Sequence, residues 1–233
     1  RRGVAERDAA SGSDPDRPQI EPRWPAVLAV SAFILLTVGL RVLVPRRQSV
    51  GPHWVAPAIE IALLVSVLAA HPAAGTTQAR RLRGLSIAMT VMLAGSALVS
   101  TALLVYELII GSELTSAADT LLAAGTLVWA GNALTFGLLY WQLDSGGPLA
   151  RHRSERQHPD FAFTQQLSPE LAPPGWRPRY VDYLVLGFTT STAFSPTDVM
   201  PMAPWAKLTM AMQSLISLTV IGLVIARAVN VFS

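Results

Sequence analysis

Five apolar runs, each close to the length needed to cross a bilayer, constrain this chain more than anything else in it. They extend from about Trp24 to Val44, His53 to Ala70, Leu85 to Ile110, Leu121 to Trp141 and Trp205 to Val229. A hydrocarbon core of about 30 Å takes roughly 20 helical residues to span. The fold expected is therefore an all-α integral membrane protein with about five transmembrane helices. Trp24, Trp54, Tyr140, Trp141 and Trp205 stand at run ends, where amphipathic rings favour the headgroup region. Ser96 with Ser100, and Gly222 with Ala226, have the small-xxx-small spacing that lets helices approach closely.

Composition agrees with that class. Hydrophobic residues make up 51% of the chain and charged residues only 14%, against about 25% charged in soluble domains. The formal charge of +3 comes from arginines in loops beside apolar runs, so it reads as membrane topology and not as nucleic-acid binding. There is no cysteine, which excludes disulfides, thiolate metal sites and thiol nucleophiles. His53, His71, His152 and His158 lack metal-ligand spacing. No nucleophile–base pair or glycine-rich phosphate loop is visible, and neither enzymatic activity nor a cofactor is expected.

Four regions follow along the chain. Residues 1–23 read as a disordered polar tail, with five arginines balanced by five acids and no signal-peptide pattern. Residues 24–143 carry four of the runs, 144–179 form a polar loop read as an ordered linker, and 180–230 carry a short apolar helix, a turn and the last run. The tail, the Arg80–Arg83 loop and the 144–179 loop together hold 13 arginines, and the opposite side holds Arg41, Arg46 and Arg47. That asymmetry places the N-terminus and the long loop in the cytoplasm.

Among the charges in or near the first four runs are Arg41, Glu60, Glu107 and Asp119. In an up-and-down arrangement they fall near one face. A charge in hydrocarbon costs several kcal/mol unless paired or wet. An Arg41–Glu60 or Arg41–Glu107 pair fixing the bundle is one reading, and an ion or proton site at Glu60 and Glu107 the other. Asn132, in the middle of the fourth run, reads as an interhelical hydrogen-bonding residue.

Residues 180–230 combine a short helix from Tyr180 to about Thr190, a hydroxyl-rich turn through Pro201, and the last apolar run. The short helix cannot cross, so it is expected to be re-entrant or interfacial. Irregular backbone at membrane depth is tolerated only where it is buried in protein or lines water.

The stretch Tyr183-Leu184-Val185-Leu186-Gly187-Phe188-Thr189-Thr190, then Asp198-Val199-Met200-Pro201, then the helix from Trp205 resembles the pore module of two-transmembrane potassium channels. The resemblance covers about 50 residues. It implies a homo-oligomer, a tetramer, conducting a small ion, with Thr189, Thr190, Thr192, Ser195, Thr197 and Asp198 lining the constriction. The chain departs from that family where Ser195 and Thr197 replace the filter glycines and Pro196 the aromatic, so a potassium-selective filter is not expected. The family also inserts its loop from outside, opposite to the arginine count. Over residues 24–230, through Asp182-Tyr183-Leu184 and Ser195-Pro196-Thr197-Asp198-Val199, the chain further resembles uncharacterised polytopic proteins of the bacterial plasma membrane.

A structural reading stands beside the pore. Ser195 would cap a helix, Pro196 would take its first position and Asp198 would complete a capping box. The hydroxyls of Thr189 to Thr192 would satisfy their own backbone. The protein would then be a non-conducting scaffold or interaction protein, with Ser214, Ser217, Gly222 and Ala226 facing other helices.

Overall fold

In the computed structural model, the structure describes residues 24–43, 58, 60–62, 76–110, 118–152, 158–192 and 198–232. Helix α1 is Trp24–Leu43, α2 is Thr76–Ile110 and α3 is Ala118–Leu143. Helix α4 is Pro148–His152, α5 is Thr164–Leu167, α6 is Tyr180–Ser191 and α7 is Pro204–Phe232. Among the described residues, three apolar helical stretches are long enough to cross a membrane: 83–110, 119–146 and 204–230. They correspond to the third, fourth and fifth expected spans. The first expected span corresponds to the 20-residue α1, whose apolar stretch, 27–40, is shorter than those three. The second falls mostly outside the described residues, of which 58 and 60–62 are helical.

Helix α3 is the hub and packs against α1, α2, α6 and α7. It can do so because small residues open its surface on several sides. Gly131 lies against the Phe33 ring of α1 and Gly125 against Val224 of α7, while Gly137 meets the α6 backbone at Tyr183 and Leu184. The core forms in layers along α3. Near its C-terminal half, Leu138 packs with Ala29, Val30, Met89, Leu93 and Tyr180. Near its N-terminal half, Leu121, Ala124 and Val128 pack with Leu104, Leu108, Val220, Val224 and Ala228. The early residues of α1 and α2 therefore sit beside the end of α3. Likewise Met210 of α7 packs with Phe136 and Tyr140, so all three helices run antiparallel to α3.

The expectation of an all-α chain holds for the bundle but misses a small ribbon. Strand β1, Phe161–Phe163, pairs antiparallel with β2, Val199–Pro201, in the register Phe161↔Pro201, Ala162↔Met200 and Phe163↔Val199. The 144–179 loop, read as an ordered linker, thus docks through Phe161–Phe163 on the chain that follows α6. Aromatic rings explain why it docks there. Phe161 stacks edge-on against Tyr140, Tyr183 and Trp205, and Phe163 packs against Tyr183 and Trp176. A strand of three buried residues at the end of a bundle needs such a surface, because a two-stranded ribbon is marginal alone.

Candidate functional site at the inner end of a half-height helix

Helix α6 has 12 residues, about 18 Å of rise, which is little more than half a bilayer core. It begins where the Arg179 N–H donates to the Asp182 carboxylate at 2.7 Å, satisfying one donor at the helix start. It then runs antiparallel along α3. Tyr180 stacks edge-on against Trp141, Leu184 meets Gly137, Gly187 meets Ala133 and Ser191 meets Trp129. Its inner end therefore lies at the middle of α3. Asp198 is already back at the other end, where its carbonyl accepts from Thr164 N–H and Oγ1 beside the ribbon.

A helix that stops inside a bundle leaves its last carbonyls without intrahelical donors, and no water is at hand in lipid to take their place. Here neighbouring side chains supply the donors. Gln213 Nε2 of α7 donates to Gly187 O and to Ser191 Oγ, both at 2.7 Å. Ser214 Oγ donates to Thr190 O at 3.3 Å and Trp129 Nε1 to Ser191 O at 3.1 Å. Thr192 closes the turn, its N–H donating to Phe188 O at 3.1 Å and its Oγ1 to Thr189 O at 2.9 Å. Gln213 is itself oriented from its other side, since Tyr140 OH donates to its Oε1 at 2.6 Å. Gln213, Tyr140 and Ser191 are all completely buried.

The outer end is held by a second polar node. Helix α3 ends in a 3-10 turn, Asp144–Gly146, and the chain leaves through Ser145, Gly146 and Gly147, all at positive φ. Gly147 is required there, because a Cβ would lie 2.9 Å from Gln142 O. The buried Asp144 carboxylate accepts from Ser145 Oγ, Asp160 N, Phe161 N and the Tyr183 hydroxyl. Asp160 returns the contact by accepting Ser145 N–H at 2.8 Å. The Arg151 guanidinium lies 5.0 Å from the centre of the Tyr183 ring and donates to the carbonyls of Trp141 and Asp144. One carboxylate thus joins α3, β1 and α6.

Of the six expected pore-lining residues, four are described. Thr189 Oγ1 donates to Val185 O at 2.9 Å and Thr192 Oγ1 to Thr189 O, so both bond within their own segment. Thr190 is buried. Ser195 and Thr197 lie outside the described residues. Asp198 is exposed, and Val199–Pro201 is a strand with the next helix starting at Pro204. Asp198 therefore does not complete a capping box in a first helical turn, contrary to the structural reading of the sequence. The ribbon with β1 claims the residues that turn would have used. Pro204, free of an N–H, takes the first helical position instead.

Of the four charges, the three whose side chains are described lie apart. Glu60 is fully buried and accepts from Ser96 Oγ at 2.7 Å. Glu107 is buried eleven positions further along the same helix, from 96 to 107, about 16 Å by helical rise. Asp119 is exposed at the start of α3, where its carboxylate accepts the Thr120 N–H at 2.8 Å. The Arg41 side chain lies outside the described residues. Asn132 does bridge helices, Nδ2 donating to Thr101 Oγ1 of α2 at 3.1 Å. Of the small residues expected to face other helices, Ser214 and Ser217 do so, whereas Gly222 is exposed with open space around it and Ala226 is also exposed.

Sequence reasoning passed over Gln213, Asp144 and Asp160, and read Tyr140 only as a ring at a run end. Gln213 carried a usable signal, an uncharged amide inside an otherwise apolar run. Asp144-Ser145-Gly146-Gly147-Pro148 carried another, a span end followed at once by residues suited to a tight turn. Comparison with protein-family models, with curated proteins and with solved structures finds no match.

Proposed function

We propose that the chain is a five-span membrane protein whose α6 is a re-entrant helix closed by its own neighbours. Its role is that of a non-conducting membrane scaffold or interaction protein in a bacterial plasma membrane, with the N-terminus in the cytoplasm. The shared direction of α1 and α2, both antiparallel to α3, supports a second crossing within the stretch from His53 to Ala70. Glu60 of that stretch reaches Ser96, close to the middle of α2.

The observation that carries the non-conducting role is the hydrogen bonding at the inner end of α6. Gln213, Ser214, Trp129 and Thr192 bond to its terminal carbonyls from within one protomer. Backbone carbonyls that replace an ion's hydration shell have to face the ion path, and these are engaged elsewhere. A transport-related role with Thr189, Thr190, Thr192, Ser195, Thr197 and Asp198 at a constriction has one feature on its side, the half-height path of α6 itself. That role needs a homo-oligomer, a tetramer by the potassium-channel analogy, because one α7 cannot enclose a pore.

Purified protein in liposomes tests the choice. Background levels of sodium, potassium and chloride flux, together with a monomer mass in mild detergent after correction for bound detergent, are the expected results. A tetramer whose cation flux falls on Asp198→Asn would overturn the proposal in favour of the pore.

A further inference from the structure

Most described threonines in the long helices bond back to their own helix. Thr37, Thr90, Thr101, Thr126, Thr209 and Thr219 each donate to the carbonyl four residues earlier. Such bonds satisfy a hydroxyl in lipid. Thr135, whose buried hydroxyl has no partner among the described residues, does not form one, and neither do Thr190 and Ser217. Both are almost wholly buried, at 2% and 0% exposure, and neither hydroxyl has a hydrogen-bond partner among the described residues. The same holds for Oδ1 of Asn132, at 0% exposure.

Packing register brings these three groups into one layer of the bundle. On α3, Asn132 lies one turn from Val128, which packs with Val220, and one turn from Phe136, which packs with Met210. On α7, Ser217 lies between Gln213 and Val220 on the buried stripe that faces α3. In an antiparallel pair those positions fall opposite each other. Thr190 belongs to the adjoining turn of α6, since its carbonyl accepts from Ser214, three residues before Ser217. The layer thus sits at the C-terminal end of α6, which carries the negative end of the helix dipole, roughly half an elementary charge.

We propose that this layer holds one partly dehydrated monovalent cation of the sodium class. Asn132 Oδ1, Thr190 Oγ1 and Ser217 Oγ are its side-chain ligands. All three are uncharged oxygens with lone pairs to offer, and a helix C-terminus inside a membrane bundle is a recognised place for such an ion. The absence of a carboxylate among the three disfavours calcium and magnesium, whose sites are built around carboxylates. The inference goes beyond the scaffold role and does not depend on it.

Thermal unfolding of the full chain in detergent tests this, with sodium, potassium or choline chloride at constant ionic strength. A ligand that binds only the folded state raises the midpoint, and sodium is expected to raise it over choline by at least about 2 °C. Ser217→Ala and Thr190→Val are each expected to remove that difference. Equal midpoints in all three salts would overturn the proposal and leave a buried water as the partner of these groups. A sodium effect that survives in both folded variants would overturn it as well, by placing the ion elsewhere. Neither result bears on flux, so failure here is distinguishable from failure of the non-conducting role.

Discussion

Gly187 and Gly137 meet backbone to backbone where α6 crosses α3. A Cβ on Gly187 would lie 2.7 Å from Ala133 O and 2.9 Å from Gly137 N. The obstacle is main chain, so it cannot turn aside as a side-chain tip can. Gly187→Ala is expected to destabilise the protein by about 1–3 kcal/mol through overpacking. Gly84→Ala, at an exposed α2 position with open space around it, is expected to be neutral or to stabilise by roughly 0.5–1 kcal/mol through helix propensity. Unfolding midpoints of the two variants in one detergent check both. A Gly187→Ala midpoint equal to wild type would mean that the two helices do not meet this closely.

Gln213 is expected to be the most sensitive polar residue of α7. Gln213→Leu strips donors from Gly187 O and Ser191 Oγ and the acceptor from Tyr140 OH. A buried group left unsatisfied costs about 1–3 kcal/mol, although interhelical bonds in membranes average nearer 0.6 kcal/mol. The expected loss is therefore about 1–3 kcal/mol. Thr219→Val, which removes only an exposed bond to the helix's own Leu215 carbonyl, is expected to stay within about 0.5 kcal/mol. Equal effects from the two would remove the special standing of Gln213.

Asp144→Ala is expected to free the 144–179 segment without unfolding the bundle. The substitution leaves Asp160 N, Phe161 N and the Tyr183 hydroxyl without their shared acceptor, while the apolar layers along α3 are untouched. Limited proteolysis of membrane-bound protein reads this directly. Faster cleavage within 144–179 with unchanged helical circular dichroism is the expected pattern. Wild-type cleavage rates would show that the aromatic packing alone holds the segment.

Tyr140→Phe separates orientation from occupancy at Gln213. The ring packing with Phe136 and Phe161 is kept, and only the bond that orients the amide is lost. A loss of roughly 1 kcal/mol, smaller than that of Gln213→Leu, is expected. Measured in the Gln213→Leu background, Tyr140→Phe is expected to add almost nothing, because the partner is already gone. Full additivity would disconnect the two residues.

The class of the fold was legible because length and hydropathy govern it. Three of the expected spans reappear in α2, α3 and α7 as helices long and apolar enough to cross. The short reach of the segment at 180–191 was legible too, since its apolar run stops well before a full crossing. The ribbon was not legible, because Phe161–Phe163 is three residues long and finds its partner far along the chain, Phe161 opposite Pro201 forty positions later. No local pattern encodes that pairing, and the aromatic surface that makes it worthwhile is assembled from α3, α6 and α7. The charges misled for a related reason. Glu60 and Glu107 were judged by distance from run ends, whereas Ser96 decides where Glu60 sits.

The groups that close the inner end of α6 have an order in time as well as a place. Trp129 precedes α6 in the chain, but Gln213 and Ser214 follow it by more than twenty residues. While the chain is being made, α6 emerges before two of its partners exist. Its Thr190 carbonyl lacks the Ser214 donor, and Ser191 Oγ lacks the Gln213 donor, until α7 has been inserted beside α3. Helix α6 is thus the last element to settle, although it is not the last to be synthesised, and a chain cut short after Ser191 would leave it at the membrane surface.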